Sequence, residues 1–240
     1  MNPKILLPFL LLPFFLFTSG CVPTSLKARD DLSLRRDTER IILMPVDIEL
    51  NVLTAGGVLE PNAEWTATAG DLVRKAISKK MAANSINTLT EKDLAEVSLA
   101  KNEVDLQKQL IKLHEMVGRS ILLHKYVDPF KLPSKEGKFD WSLGPDVKFL
   151  REKYNADYAL FVYLRDSYAS GGRVALIVVA AAVGIGVPGG SQMGFASLVD
   201  LKSGQVVWFN RLFRGAGDLR NEVDAATSVD LLLADFPLQG

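Results

Sequence analysis

The chain's one cysteine, Cys21, stands directly behind a long apolar run and the small residues Thr18, Ser19 and Gly20. A single thiol rules out an intramolecular disulfide, so whatever this chain folds into is held together by packing. The first twenty residues carry one charge, Lys4, followed by an apolar stretch over residues 5–17 that is broken by Pro8 and Pro13. A short n-region, an apolar h-region and a small-residue processing site mark residues 1–20 as a signal peptide. As a helix the stretch reaches roughly 20 Å, short of the ~30 Å hydrocarbon core, and two prolines weaken it as a permanent span. Export followed by cleavage is the better account.

Thr18-Ser19-Gly20-Cys21 resembles the lipobox of bacterial lipoprotein precursors, in which the cysteine thiol receives diacylglycerol. Thr18 stands where leucine is usual, and an ordinary signal-peptidase site is the alternative. The placement of the sole cysteine at the junction favours lipidation, because a free thiol without a partner is an odd leftover in an oxidising compartment. Cleavage between Gly20 and Cys21 and lipid attachment at Cys21 are therefore expected. Val22, rather than Asp, follows Cys21, which in enteric-type sorting favours the periplasmic side of the outer membrane; in a Gram-positive host the same anchor would stay on the cytoplasmic membrane.

Removing the signal takes away Lys4, leaving 27 Lys and Arg against 28 Asp and Glu. That near-neutral balance gives no support for a nucleic-acid-binding surface, which needs a basic face. Residues 21–38 are rich in Ser, Thr and charge with little periodicity, and are expected to form a flexible tether. Residues 39–240 are enough for a single domain with a real core.

Within that domain RIILMPVDIEL, residues 40–50, has the dense apolar content of a buried strand that ends or bulges at Pro45. A helix is expected over 65–81 on the spacing of Leu72, Val73, Ala76, Ile77 and Met81. Residues 86–89 form a short apolar piece, and Thr90 with Asp93 resembles a capping box for a second helix. A third helix over 104–123 carries the stripe Leu106, Leu110, Leu113, Val117 and Ile121. Pro145 opens a short helix ending at Asn155, and Tyr158 to Tyr163 reads as a strand that Asp157 and Asp166 terminate. A hairpin over 194–201 and 205–213 turns at Lys202-Ser203-Gly204, and Asp218 is expected to cap a last helix.

No charge occurs over residues 174–199, and VALIVVAAAVGIGV at 174–187 is apolar throughout. A helix of that length reaches about 21 Å, too short to cross a bilayer, and the run lacks the alternation of a barrel strand. Three readings stay open: a helix packed on the sheet, a buried strand, or a segment docking onto a membrane or a neighbouring subunit. The Gly-rich insert spans about 171–194. Gly184, Gly186 and Gly189 match GxGxxG in letters, but Pro188 and Gly190 stand where a phosphate-binding helix should begin.

The two histidines, His114 and His124, lie on different faces of one expected helix. His114-Glu115 begins a zincin-like string, yet Gly118 occupies the place of its second histidine. No GxSxG or Walker pattern occurs. No catalytic, metal or cofactor-binding residue is nominated, and an enzyme is not expected.

The strand RIILMPVD, the block NADYALFVYLRD and the hairpin LVDLKSGQVVWFN together resemble lipoproteins of the CsgG-like type, related in fold to the TolB amino-terminal domain and the LpoB activator. The matching pieces are residues 41–46, 156–162 and 199–208. The resemblance implies an α+β fold, a mixed β-sheet backed by helices, with a C-terminal hairpin and terminal helix. It also implies an assembly, scaffolding or activator module that meets the membrane through its lipid and binds envelope proteins, with homo-oligomerisation open. The alternative is an oligomeric, membrane-inserting secretion component using residues 174–187, and a cell-envelope hydrolase is third.

Overall fold

The structure, a computed structural model, describes residues 25–29, 31–35 and 38–238. The signal peptide at 1–20, the Gly20–Cys21 junction and Cys21 itself lie outside the described residues. The fold is α+β, with a mixed eight-stranded sheet covered by helices on both faces.

The strand expected at 40–50 is two strands, β2 (Ile41–Leu43) and β3 (Asp47–Leu53), separated around Pro45. Both pair in parallel with the longest strand, β6 (Tyr158–Ala169), β2 along its start and β3 along its end. Proline lacks the N–H that a continuous ladder needs, so one partner strand is bridged by two pieces. A short β4 (Leu59–Pro61) folds back antiparallel on β3, and β5 (Thr88–Leu89) flanks β2. On the other side β7 (Gln192–Asp200) and β8 (Val206–Arg214) form the hairpin, antiparallel to β6 and to each other.

The outer strand on that side is β1 (Ser25–Lys27), which pairs antiparallel with β8. This corrects the tether expectation for part of 21–38: Leu32 and Leu34 are buried, and Leu34 N–H bonds to the Pro237 carbonyl. Polar composition had hidden three leucines, Leu26, Leu32 and Leu34, whose spacing supplies an edge strand and two core contacts.

Alternation along β6 divides the core. Leu160, Val162 and Leu164 face α1 (Ala63–Ala83) and α6 (Glu222–Leu232), whereas Ala159, Phe161 and Tyr163 face α3 (Lys101–Tyr126) and α4 (Lys148–Tyr154). Asn62 caps α1 by accepting from Trp65 N–H at 2.9 Å, and Asp93 caps α2 (Glu91–Glu96) by accepting from the Thr90 backbone N–H at 2.7 Å. The left-handed Asn155 ends α4 as expected. Asn221, not Asp218, caps α6, accepting from Val223 N–H at 2.8 Å, because Asp218 is paired with Arg220.

Three other expectations change. Asp166 does not end β6, which runs on to Ala169; its side chain points inward, where Gln192 Nε2 at 2.8 Å and Tyr168 O–H at 2.6 Å donate to it. The buried stripe of α3 is Leu110, His114, Gly118 and Ile121, whereas Leu113 is exposed. The insert forms a helix, α5 (Gly171–Ala182), neither a buried strand nor a helix packed flat on the sheet: only Ala180 is fully buried.

Candidate functional site

The two aromatic side chains around His114, Phe161 and Phe195, show how α3 is placed. Its Nε2 lies 2.9 Å from Ser197 Oγ, and its ring stacks on Phe161 and meets Phe195 edge-on. Burial drives the imidazole pKa down to about 3, against the raising effect of Asp47. This histidine is a neutral core residue. His124 is on another face, with Nδ1 2.6 Å from the Phe130 carbonyl oxygen. Among the described residues no group of three His, Cys, Asp or Glu side chains could hold a metal.

An ion-pair network fixes the outer edge of α3. Lys112 and Arg165 each donate to Asp47 at 2.8 Å, Arg119 pairs with Glu115 and donates to Tyr163 O–H, and Arg165 lies 4.1 Å from the centre of the Tyr163 ring. Burial raises the Asp47 carboxyl pKa, but the hydrogen bonds from Lys112 and Arg165 outweigh it and hold the group below the usual range. The pairs join α3, β3 and β6, so the helix cannot roll without breaking them.

Held in this way, the C-terminal turns of α3 stand beside the exposed ends of β7 and β8 and leave a cleft of about 330 Å³. Leu122, Leu123 and Tyr126 line it from the helix, and Met193, Arg211 and Phe213 from the sheet. The Arg211 guanidinium lies 3.8 Å from the Tyr126 ring centre, and burial pushes the Tyr126 hydroxyl pKa up to about 12 despite that cation. Phe213 is 59% exposed. The cleft continues into a stripe on α3, where Leu113, Met116, Leu123 and Val127 are all exposed and share one helical face. Sequence reasoning placed Leu113 in the apolar stripe of this helix and did not single out Arg211 or Phe213. The period-2 alternation of β8 shows which residues share a side, but not that the sheet face ends uncovered.

A second cleft, of about 210 Å³, lies where α3 meets the 128–147 segment, with Trp141 among Lys125, Lys131, Lys135 and Lys138. Each of these lysines already has an acidic or carbonyl partner: Gly137 O, Asp128, Asp140 and Glu136 in turn. The charge there is largely spent within the protein.

No protein-family model and no curated protein sequence matches the chain. Among solved structures, it is similar to the PelC dodecamer from Paraburkholderia phytofirmans at 10% identity and a TM-score of 0.42, over 90% of this chain and 96% of that one. It is also similar to lipoprotein GNA1162 from Neisseria meningitidis at 9% identity and a TM-score of 0.30, over 73% and 78% of the two chains. The LpoB C-terminal domain from Salmonella enterica stands at 10% identity and 0.30, over 73% and 82%.

Proposed function

We propose that the chain is a lipid-anchored lipoprotein on the periplasmic side of the outer membrane, acting as an assembly, scaffolding or activator module by binding envelope proteins. The observation that carries this reading is the open face made by Phe213, Arg211, Tyr126 and Met193 with the apolar stripe of α3. Exposed aromatic, Met and Arg side chains gathered around an apolar centre are the residue types that dominate protein-protein binding energy. The Asp47 and Glu115 ion pairs hold that face in one shape, which lowers the ordering cost of binding. Cys21, by the lipobox resemblance, supplies the address. The proposed role is binding rather than catalysis.

The test is site-specific photocrosslinking in the native host, with the crosslinking residue at Phe213 or, as control, at Lys202 in the β7–β8 turn. A discrete adduct at 213, absent at 202 and reduced at least about tenfold by Arg211→Ala, supports the reading. Equal crosslinking at both positions, or none at 213, overturns it.

A second reading, the oligomeric membrane-inserting secretion component, is favoured by the exposure of apolar α5. Detergent-stable rings and conductance that vanish on deletion of residues 174–187 would support it. No helix among the described residues is long and apolar enough to cross a membrane.

A further inference from the structure

We infer that α5, with the β3–β4 turn beside it, lies in the surface of the same lipid leaflet that takes the Cys21 anchor, giving the domain a second and oriented attachment to the bilayer. The inference rests on the lipid-anchor reading for the identity of that leaflet.

Three of the twelve residues of α5 turn toward the protein, Arg173, Ile177 and Ala180, at the spacing of one helical face. The rest is exposed, including Val174, Val178 at 64% and Val179 at 67%, and the apolar surface continues through Val183 at 71% and Ile185. Val58 and Leu59 at the β3–β4 turn are exposed too. Arg173 ties these pieces into one platform: its Nε donates to the Pro188 carbonyl at 3.1 Å and its Nη1 to the Ala55 carbonyl at 3.4 Å. The return loop is pinned as well, Ser167 N–H bonding to the Ser191 carbonyl while Gly190, at φ +142, passes so close to Ser167 that a Cβ would meet its carbonyl oxygen at 2.0 Å. A helix apolar all round its circumference is stable only when something apolar covers it.

Two observations choose lipid as the cover. From Val174 to Gly190 no side chain can donate or accept a hydrogen bond, so α5 and its return loop offer a partner protein none of the side-chain polar contacts that interfaces carry. A lipid surface asks for none. The second is chain direction. Strand β1 runs antiparallel to β8, with Ser25 opposite Asn210, and β8 runs parallel to β6, so the N-terminal end of β1 faces the end of the sheet where β6 passes into α5. Three residues lie between Cys21 and Ser25, which keeps the two Cα atoms within about 14 Å, so a lipid on Cys21 would hold this end of the sheet, where the platform is exposed, near the membrane. At about 18 Å, α5 lies on the bilayer rather than through it. The exposed apolar side chains of α5 carry no charge, and its one cation, Arg173, turns toward the protein and bonds backbone carbonyls, so attachment does not depend on anionic lipid as that of basic amphipathic helices does.

Val179→Cys in the full chain gives, once Cys21 is acylated, a single thiol for an environment-sensitive fluorophore. In phosphatidylcholine vesicles its emission shifts to the blue and is quenched by lipids brominated high on the acyl chain, whereas the same label at Lys202→Cys, in the distant hairpin turn, is unaffected. In a Cys21→Ser background, Val178→Asp with Val179→Asp lowers partitioning onto these vesicles by at least about tenfold, and adding phosphatidylglycerol changes neither value. These positions are exposed, so the variants keep the fold, which circular dichroism checks. A label at 179 that lipid fails to quench overturns the inference. So does one shielded without lipid in a concentration-dependent way, which would make the cover a second copy. If the Cys21 peptide carries no lipid mass, the anchor reading fails, and the Cys21→Ser partition measurement still decides the role of α5.

Discussion

A Cβ at position 118 would lie 2.0 Å from Phe195 Cε2, so the absence of a side chain at Gly118 is what lets α3 approach the sheet. Glycine within a helix normally weakens it by about 1 kcal/mol relative to alanine, so at an open site Gly→Ala stabilises. Here Gly118→Ala is expected to destabilise by about 1–3 kcal/mol through overpacking, read from urea unfolding midpoints. The neighbouring His114 sets a pH response. Its folded-state pKa is about 3 against an ordinary 6.5, so the unfolded chain binds the proton first, and the contribution is complete above pH 6.5 and lost as pH falls toward 3. His114→Gln removes that titration. Its stability should fall less steeply than that of the parent between pH 6 and 4, by up to about 1.4 kcal/mol per pH unit. Parallel curves for the two proteins contradict a buried neutral imidazole.

Most elements of the fold were legible because their signals were local. The apolar density of β6, the break at Pro45, the Thr90–Asp93 cap and the turn at Lys202-Ser203-Gly204 depend on nearby residues, and the structure contains each of them. What escaped depended on distant partners. The face of α3 that meets the sheet includes a histidine and a glycine, which a hydrophobic pattern skips, and Asp166 passes as a strand terminator until Gln192 and Tyr168 are seen to satisfy it. The interaction face was the least legible: exposure at Phe213 follows from nothing covering the end of β8. The N-terminal segment makes the same point. Leu34, read as part of a tether, is 2% exposed, so Leu34→Ala should lower stability by about 2–4 kcal/mol. A change near zero in a thermal or urea melt would restore the tether.

Across the whole molecule, the sheet connects the parts that matter for location. Ion pairs from Lys75 to Glu222 and Lys80 to Asp230 join α1 to α6 on one face, and the Asp47 network fixes α3 on the other, so the sheet is gripped from both sides. With β1 bound to its edge, only three residues of sequence lie between Cys21 and the sheet, fewer than the tether the composition suggested. On the proposed reading, a lipid on Cys21 this near the sheet would restrict how the domain presents its open face, which makes Cys21 the side chain to test. The direct measurement is metabolic labelling with palmitate in the native host, comparing the parent chain with Cys21→Ala. Label on the parent that disappears in Cys21→Ala, whatever residual association α5 retains, is the predicted result; an unlabelled parent, or a variant that is still labelled, contradicts it.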